Sequence, residues 1–185
     1  MTRDELVAEL GDVRVEVEGY FSSLPLEEVY RRRGDAWAPV DDLRHITRSL
    51  TAVTRGLSLS PGELVHRFGP AEGPTRSRRT IGALALEGLA AGGRATPELS
   101  PEPVAEGDRT EAYRKRCLDA WNRAVATYAT VLSAWPDEAL DHHRFPHPFL
   151  GVFNLREWAH FVVLHSLHHV GVAERRLGRG TRNGA

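Results

Sequence analysis

Apolar residues recur every three or four positions over four long stretches of the chain, which is the spacing that places them on one face of an α-helix. In the first stretch, for example, Leu6, Leu10, Val13 and Val17 share a face. The four stripes predict helices over about Arg3–Phe21, Pro39–Leu57, Arg109–Trp135 and Leu155–Leu177. No segment alternates apolar and polar residues over a useful length, so no strand is predicted.

Polar residues that satisfy free backbone amides stand at the predicted helix starts. The capping pairs are Thr2 with Glu5, Asp108 with Glu111, and Asn154 with Glu157. Pro39 suits the first position of the second helix, and Gly178 is a stop signal after the fourth. These signals support the helix bounds that the stripes indicate.

The second and third helices are separated by a long connection, about Ser58–Gly107. It contains two short helix candidates, Ser60–Phe68 and about Thr80–Ala91, the second stopped by two glycines. Four helices with one long crossover form a recognised bundle topology. We therefore predict an all-α four-helix bundle that occupies residues 1–185 as a single domain, with a disordered tail at 179–185.

The composition narrows the functional classes. With 185 residues, 41% apolar and 26% charged, the chain suits a globular domain. Its net charge of -1 provides no basic field for nucleic-acid binding. No apolar run approaches the roughly 20 residues of a membrane span, and the first residues are polar. We expect a cytoplasmic protein that contacts neither nucleic acid nor membrane.

The single cysteine, Cys117, excludes an intramolecular disulfide. It lies within the apolar stripe of the third helix. This position favours a buried core thiol over a reactive one.

The most informative residues are His165 and His169, which lie four positions apart and so share one face of the fourth helix. His45 lies at the edge of the stripe of the second helix, with Asp42 and Ser49 as neighbours on the same face. If these two helices pack side by side, three imidazoles converge. Three protein ligands with one open position are typical of a reactive metal site. Imidazole ligands suit Zn, Ni, Co, Fe or Cu.

A simpler interpretation is that the histidine pair only forms hydrogen bonds to the backbone or to water. The fourth predicted helix contains two further histidines, which are the alternatives to His165 and His169 as ligands. His168 is turned about 100° from His169 and is predicted to face outward. His160, five residues before His165, is predicted to be peripheral.

No general base stands out. Glu157 is explained as a helix cap, and Asp41 and Asp42 as residues of a helical first turn, although one of them could orient His45.

Two loop features each allow two interpretations. Arg76, Arg78 and Arg79 either bind an anionic substrate group or are solvated. Before the fourth helix, His147 and Phe149 either line the mouth of a pocket or belong to a turn held by two prolines.

Three segments together resemble the DinB/YfiT-like superfamily. Residues 37–45, from Trp37-Ala-Pro to His45, resemble the stretch that opens the second helix of that family. Residues 147–169, with a His-Pro…Gly turn, Glu-Trp and a His-x-x-x-His pair, resemble its C-terminal signature. Residues 96–101 resemble its proline-containing linker before the third helix. The match covers most of the chain in order and spacing.

The resemblance implies a four-helix bundle that holds one divalent metal, often Zn or Ni, through His45, His165 and His169, and that commonly forms a homodimer. Many relatives carry Arg-Gln where this chain has Gly171 and Val172. Because a metal binds neutral imidazole, we expect its occupancy to fall as the pH drops below about 6.5.

Members of that family with assigned activity include thiol-dependent S-transferases and isomerases, which use thiols such as bacillithiol, mycothiol or glutathione. We therefore predict a metal-dependent S-transferase that uses a low-molecular-weight thiol, or a related hydrolase. Trp37, His147 and Phe149 are the expected substrate-binding residues. The alternatives are a non-catalytic dimeric bundle that binds metal and a small ligand in a stress or DNA-damage response, and a dimeric scaffold with incidental histidines.

Overall fold

The computed structural model describes residues 1–178, and within them it contains seven α-helices and one β-hairpin. The helices are α1 (Arg3–Ser23), α2 (Leu26–Val29), α3 (Pro39–Leu57), α4 (Pro61–Phe68), α5 (Arg78–Ala90), α6 (Glu111–Ser133) and α7 (Leu155–Arg176). The strands are β1 (Arg144–His147) and β2 (Gly151–Asn154), and single 3₁₀ turns lie at Glu106–Asp108 and Glu138–Asp141. The predicted tail at 179–185 lies outside the described residues.

The four long helices form the bundle, because α1 and α3 each pack against both α6 and α7. Trp121 and Tyr128 of α6 are enclosed at its centre, and the apolar stripes of the other three helices face them. Each helix within residues 1–178 falls short of the length or hydropathy needed to cross a bilayer. The predicted pairing of the second helix with the fourth, here α3 with α7, is present.

The predicted cap of the third helix is wrong. Thr110, rather than Asp108, caps α6: its backbone is extended and its side chain accepts a hydrogen bond from the amide of Tyr113. Asp108 instead ends a 3₁₀ turn just before the helix. The other two capping boxes form as expected, between Thr2 and Glu5 and between Asn154 and Glu157.

The hairpin corrects the prediction of no strands. Its two strands have four residues each and are antiparallel, with Phe145 opposite Phe153. Strands this short show no alternation in the sequence. The hairpin is fixed to α7, since Phe145 stacks on Trp158 with 4.6 Å between ring centroids and accepts a 3.1 Å hydrogen bond from its indole N–H.

Both short helices of the long connection form where the sequence predicts them, as α4 and α5. The tip of the hairpin rests on the end of α5, where glycines allow close approach. A Cβ atom at Gly93 would lie 2.6 Å from the ring of Phe149, and one at Gly88 would overlap Leu150. Helix α5 and the hairpin tip thus close one side of the bundle next to α7.

Two of the three arginines clustered in this connection form ion pairs with other parts of the fold. Arg76 donates hydrogen bonds from Nε and Nη2 to the buried carboxylate of Glu157, at 2.8 and 2.6 Å. Arg78 pairs with Glu9, and Arg79 is exposed. Burial alone would raise the pKa of Glu157, but the hydrogen bonds from Arg76 outweigh it and hold that pKa below its usual value. The structure therefore favours ion pairing of Arg76 and Arg78 over anion binding.

Candidate metal centre

Three imidazoles meet where α3 packs against α7. The ring centroids of His45, His165 and His169 lie 4.7–5.1 Å apart in all three pairs. One ring nitrogen from each lies within 4.8 Å of the other two. The Nε2 atoms of His45 and His165 are 3.2 Å apart. The structure thus brings together the three histidines that the sequence singles out.

Two of these rings are oriented by partners outside the cluster. His45 donates from Nδ1 to the backbone carbonyl of Leu99 at 3.0 Å, and His169 donates from Nδ1 to Oδ1 of Asp42 at 2.8 Å. In each neutral ring, Nε2 is then left with a lone pair available for a ligand. A carbonyl or carboxylate behind the ring is the usual support of a metal-binding histidine.

Asp42 lies in the first turn of α3, as expected, and its side chain orients His169 rather than His45. Its second oxygen accepts a 2.8 Å hydrogen bond from Arg176. Complete burial raises the pKa of Asp42 to about 7, against the opposing effect of the Arg176 guanidinium. The neighbouring Asp41 caps the start of α3 and makes no contact with the cluster.

The donor set fits a divalent cation. Bonds of 2.0–2.1 Å to a tetrahedral metal place two nitrogen ligands about 3.3 Å apart, close to the 3.2 Å between the Nε2 atoms of His45 and His165. The three donors together lie within 4.8 Å of one another, so the set would draw together on binding. Burial lowers the pKa of all three imidazoles, that of His165 well below its usual value and that of His169 to about 2. The rings are therefore neutral near pH 7, which is the form that binds metal.

These pKa shifts predict that the metal-free protein loses stability as the pH falls below about 6.5. Between that value and the lower folded-state pKa values, the three imidazoles bind more protons in the unfolded chain than in the native state. Asp42, whose pKa is raised, contributes with the opposite sign, but it is one group against three. Urea midpoints at pH 7 and pH 5 measure the loss, which should be smaller in a His45→Ala/His169→Ala variant. Equal losses in the two proteins would show that these imidazoles do not cause the loss of stability at low pH. Because the imidazole pKa values are lowered, protons should displace a bound metal at a lower pH than the value of about 6.5 expected from the sequence.

A cavity of about 880 Å³ adjoins the cluster, between α3, α5, α7 and the hairpin. Most of its wall is apolar or aromatic, and small residues of α3 and α5, such as Ala52 and Gly82, leave space in it. Its lining includes the three predicted substrate-binding residues, Trp37, His147 and Phe149. The ring of Trp37 lies 4.9 Å from His45 and 6.2 Å from His169, centroid to centroid.

Of the other two histidines of α7, His168 differs from its predicted place. His168 does not face away from the site, since it lines the cavity, which extends along α7 as far as Arg176. His160 lies outside the cluster, as expected of a peripheral residue, but it is buried among groups that include Glu9 and Arg78. Cys117 is half-buried against the core on α6, where burial raises the pKa of its thiol, in agreement with a structural role.

The sequence interpretation missed two supporting groups. Arg176 lies seven residues after His169, two turns along the same face of α7, so helical spacing could have identified it. The carbonyl of Leu99 left no signal, because any residue type supplies the same backbone oxygen.

Fold and site together define a helical bundle with a histidine-lined candidate metal centre. The sequence model of the DinB superfamily matches residues 9–173, so the chain belongs to this superfamily. Its structure is similar to that of YfiT from Bacillus subtilis, described as a probable metal-dependent hydrolase with an unusual four-helix bundle topology. The TM-score is 0.60 at 16% identity, over 96% of this chain and 89% of that chain. A search of curated proteins gives no significant match. The predicted family and bundle fold are thus confirmed.

Proposed function

We propose that the chain is a divalent-metal-dependent enzyme whose metal is held by His45, His165 and His169, and that it acts on a small apolar molecule. The proposal rests on one observation: Asp42 and Leu99 orient two of the imidazoles at the wall of an apolar cavity. A cation bound there would lower the pKa of a bound water or thiol and supply a nucleophile near neutral pH. Zn and Ni suit the imidazole donors.

The remaining residues of the site bind and orient. Trp37, His147 and Phe149 offer ring surfaces to a substrate, and the apolar wall limits the access of water. Asp35 is the one carboxylate among the cavity-lining residues within positions 1–178. Asp42 is occupied by Arg176 and His169. Hydrolysis or thiol transfer at this site would therefore depend on activation of the nucleophile by the metal rather than by a protein base.

The test is turnover of a panel of aryl esters and aryl halides by the Zn- or Ni-loaded protein, with and without glutathione. Ester cleavage without thiol supports a hydrolase, and glutathione conjugates support an S-transferase. The His165→Ala variant should lose either activity. Metal binding without turnover of any panel member would instead support the second candidate, a non-catalytic protein that binds metal and a small ligand. The scarcity of carboxylates in the cavity wall favours that candidate.

We also propose that the protein is a cytoplasmic homodimer formed from one domain per chain. Exposed apolar side chains on α5 and the hairpin, namely Leu86, Leu89 and Val152, support a contact between two copies. Sedimentation equilibrium of the wild type and of a Leu86→Glu/Val152→Glu variant tests this. A wild-type monomer would contradict it.

A further inference from the structure

The tip of the hairpin fixes which nitrogen of His147 carries the proton. The backbone amides of Phe149 and Leu150 both donate to its Nδ1, each at 3.3 Å. An amide can donate only to a lone pair, so Nδ1 is the unprotonated nitrogen. In the neutral imidazole the proton is therefore on Nε2, which makes Nε2 a hydrogen-bond donor.

This donor has no partner within the described part of the chain. Both hydrogen bonds of His147 within residues 1–178 involve Nδ1, and none is donated by Nε2. The ring lines the cavity. The Nε2–H group is thus available to a molecule that occupies the cavity.

Aromatic neighbours hold the ring in place. His147 stacks on Trp158, with 5.3 Å between centroids, and meets Phe149 and Phe161 edge to face at 4.7 and 4.8 Å. Phe161 in turn stacks on His165 at 5.2 Å, so the imidazoles of His147 and His165 are no more than about 10 Å apart.

We propose that Nε2 of His147 orients the substrate, and that the substrate is a flat, apolar molecule with an uncharged acceptor oxygen at the end remote from the reacting group. The position of the reacting group rests on the proposed function. The aromatic surroundings disfavour a charged acceptor, because an unpaired anion is costly in such a site. Burial also lowers the pKa of His147 to about 4, so the ring stays neutral.

Two probes that differ by one group test the donor. Naphthyl methyl ketone carries a carbonyl where ethylnaphthalene carries a methylene. Their affinities are measured by calorimetry for the metal-loaded wild type and for His147→Asn and His147→Gln. Asparagine can replace Nδ1 as the acceptor of the turn amides but removes the distal donor, whereas glutamine places an N–H near the position of Nε2.

In His147→Asn, the preference for the ketone over the hydrocarbon should fall about 3- to 10-fold, the value of one hydrogen bond. His147→Gln should restore part of it. Val172→Ala, the control, should weaken both probes alike, because Val172 lines the cavity but is not one of the aromatic neighbours of His147. An unchanged preference in His147→Asn would overturn the role of the donor, and failure of the wild type to bind either probe would overturn the substrate class. Elemental analysis shows whether each sample contains metal, and the same titrations are repeated on the metal-free protein. These two controls distinguish failure of the substrate proposal from failure of the metal proposal.

Discussion

The His45→Ala/His169→Ala variant is expected to bind no divalent cation, whereas the wild type purified without chelator should contain about one per chain. The variant loses two of three nitrogen ligands, and His165 alone cannot retain a metal against water. Elemental analysis measures the content. Added Zn or Ni should raise the melting temperature of the wild type only, because a ligand stabilises the state that binds it.

The chain offers a matched control and a graded variant for this experiment. His168→Ala removes a neighbouring imidazole that lines the same cavity but lies outside the cluster, so it should keep its metal. Asp42→Asn should weaken metal binding about 10- to 100-fold, because it removes the charge behind His169 and leaves the three ligands in place. Metal loss in His168→Ala, or metal retained by the double variant, would place the cation elsewhere.

A second large effect is expected for Glu157→Ala, which should lower the free energy of unfolding by about 3–5 kcal/mol, the usual cost of breaking a buried ion pair. The carboxylate is 4% exposed and accepts hydrogen bonds from the amide of Asn154 and from the amide and guanidinium of Arg76. Its removal leaves the buried amide of Asn154 without an acceptor, deprives the partly buried Arg76 of its ion pair, and breaks one half of the capping box of α7. Urea unfolding at pH 7 measures the change.

The control is Glu63→Ala. Glu63 occupies the same position in the capping box of α4 and also faces an arginine, Arg67, but its side chain is 49% exposed. Water replaces its hydrogen bonds when it is removed, so the loss should be much smaller. Similar losses in the two variants would show that helix capping, rather than the buried pair with Arg76, accounts for the effect at Glu157.

The bundle could be predicted from the sequence because each long helix buries one stripe, and a stripe leaves a periodic signal. The bounds of α3 agree with the prediction at both ends. The hairpin and the single turn of α2 were missed, since both are too short for a period to appear. The misplaced cap of α6 has a different cause. Asp108 and Thr110 can each cap a helix, and the 3₁₀ turn that takes up Asp108, which the periodicity does not reveal, decides between them.

The candidate site, like the fold, could be predicted from the sequence only in part. His165 and His169 were identifiable from their spacing, and His45 from its place beside an apolar stripe. Their supports depend on contacts across the fold: Asp42 reaches His169 on another helix, and Leu99 reaches His45 from the long connection. Sequence spacing within one helix cannot report such contacts.

The support of His45 by a backbone oxygen has an evolutionary consequence. The side chain of Leu99 lines the cavity, while its carbonyl holds the imidazole. Position 99 can therefore accept another apolar residue, which changes the shape of the cavity, without losing the hydrogen bond to His45. Selection for a new substrate and retention of the histidine cluster are thus separable at this position, and paralogues could diverge in specificity here through a single substitution.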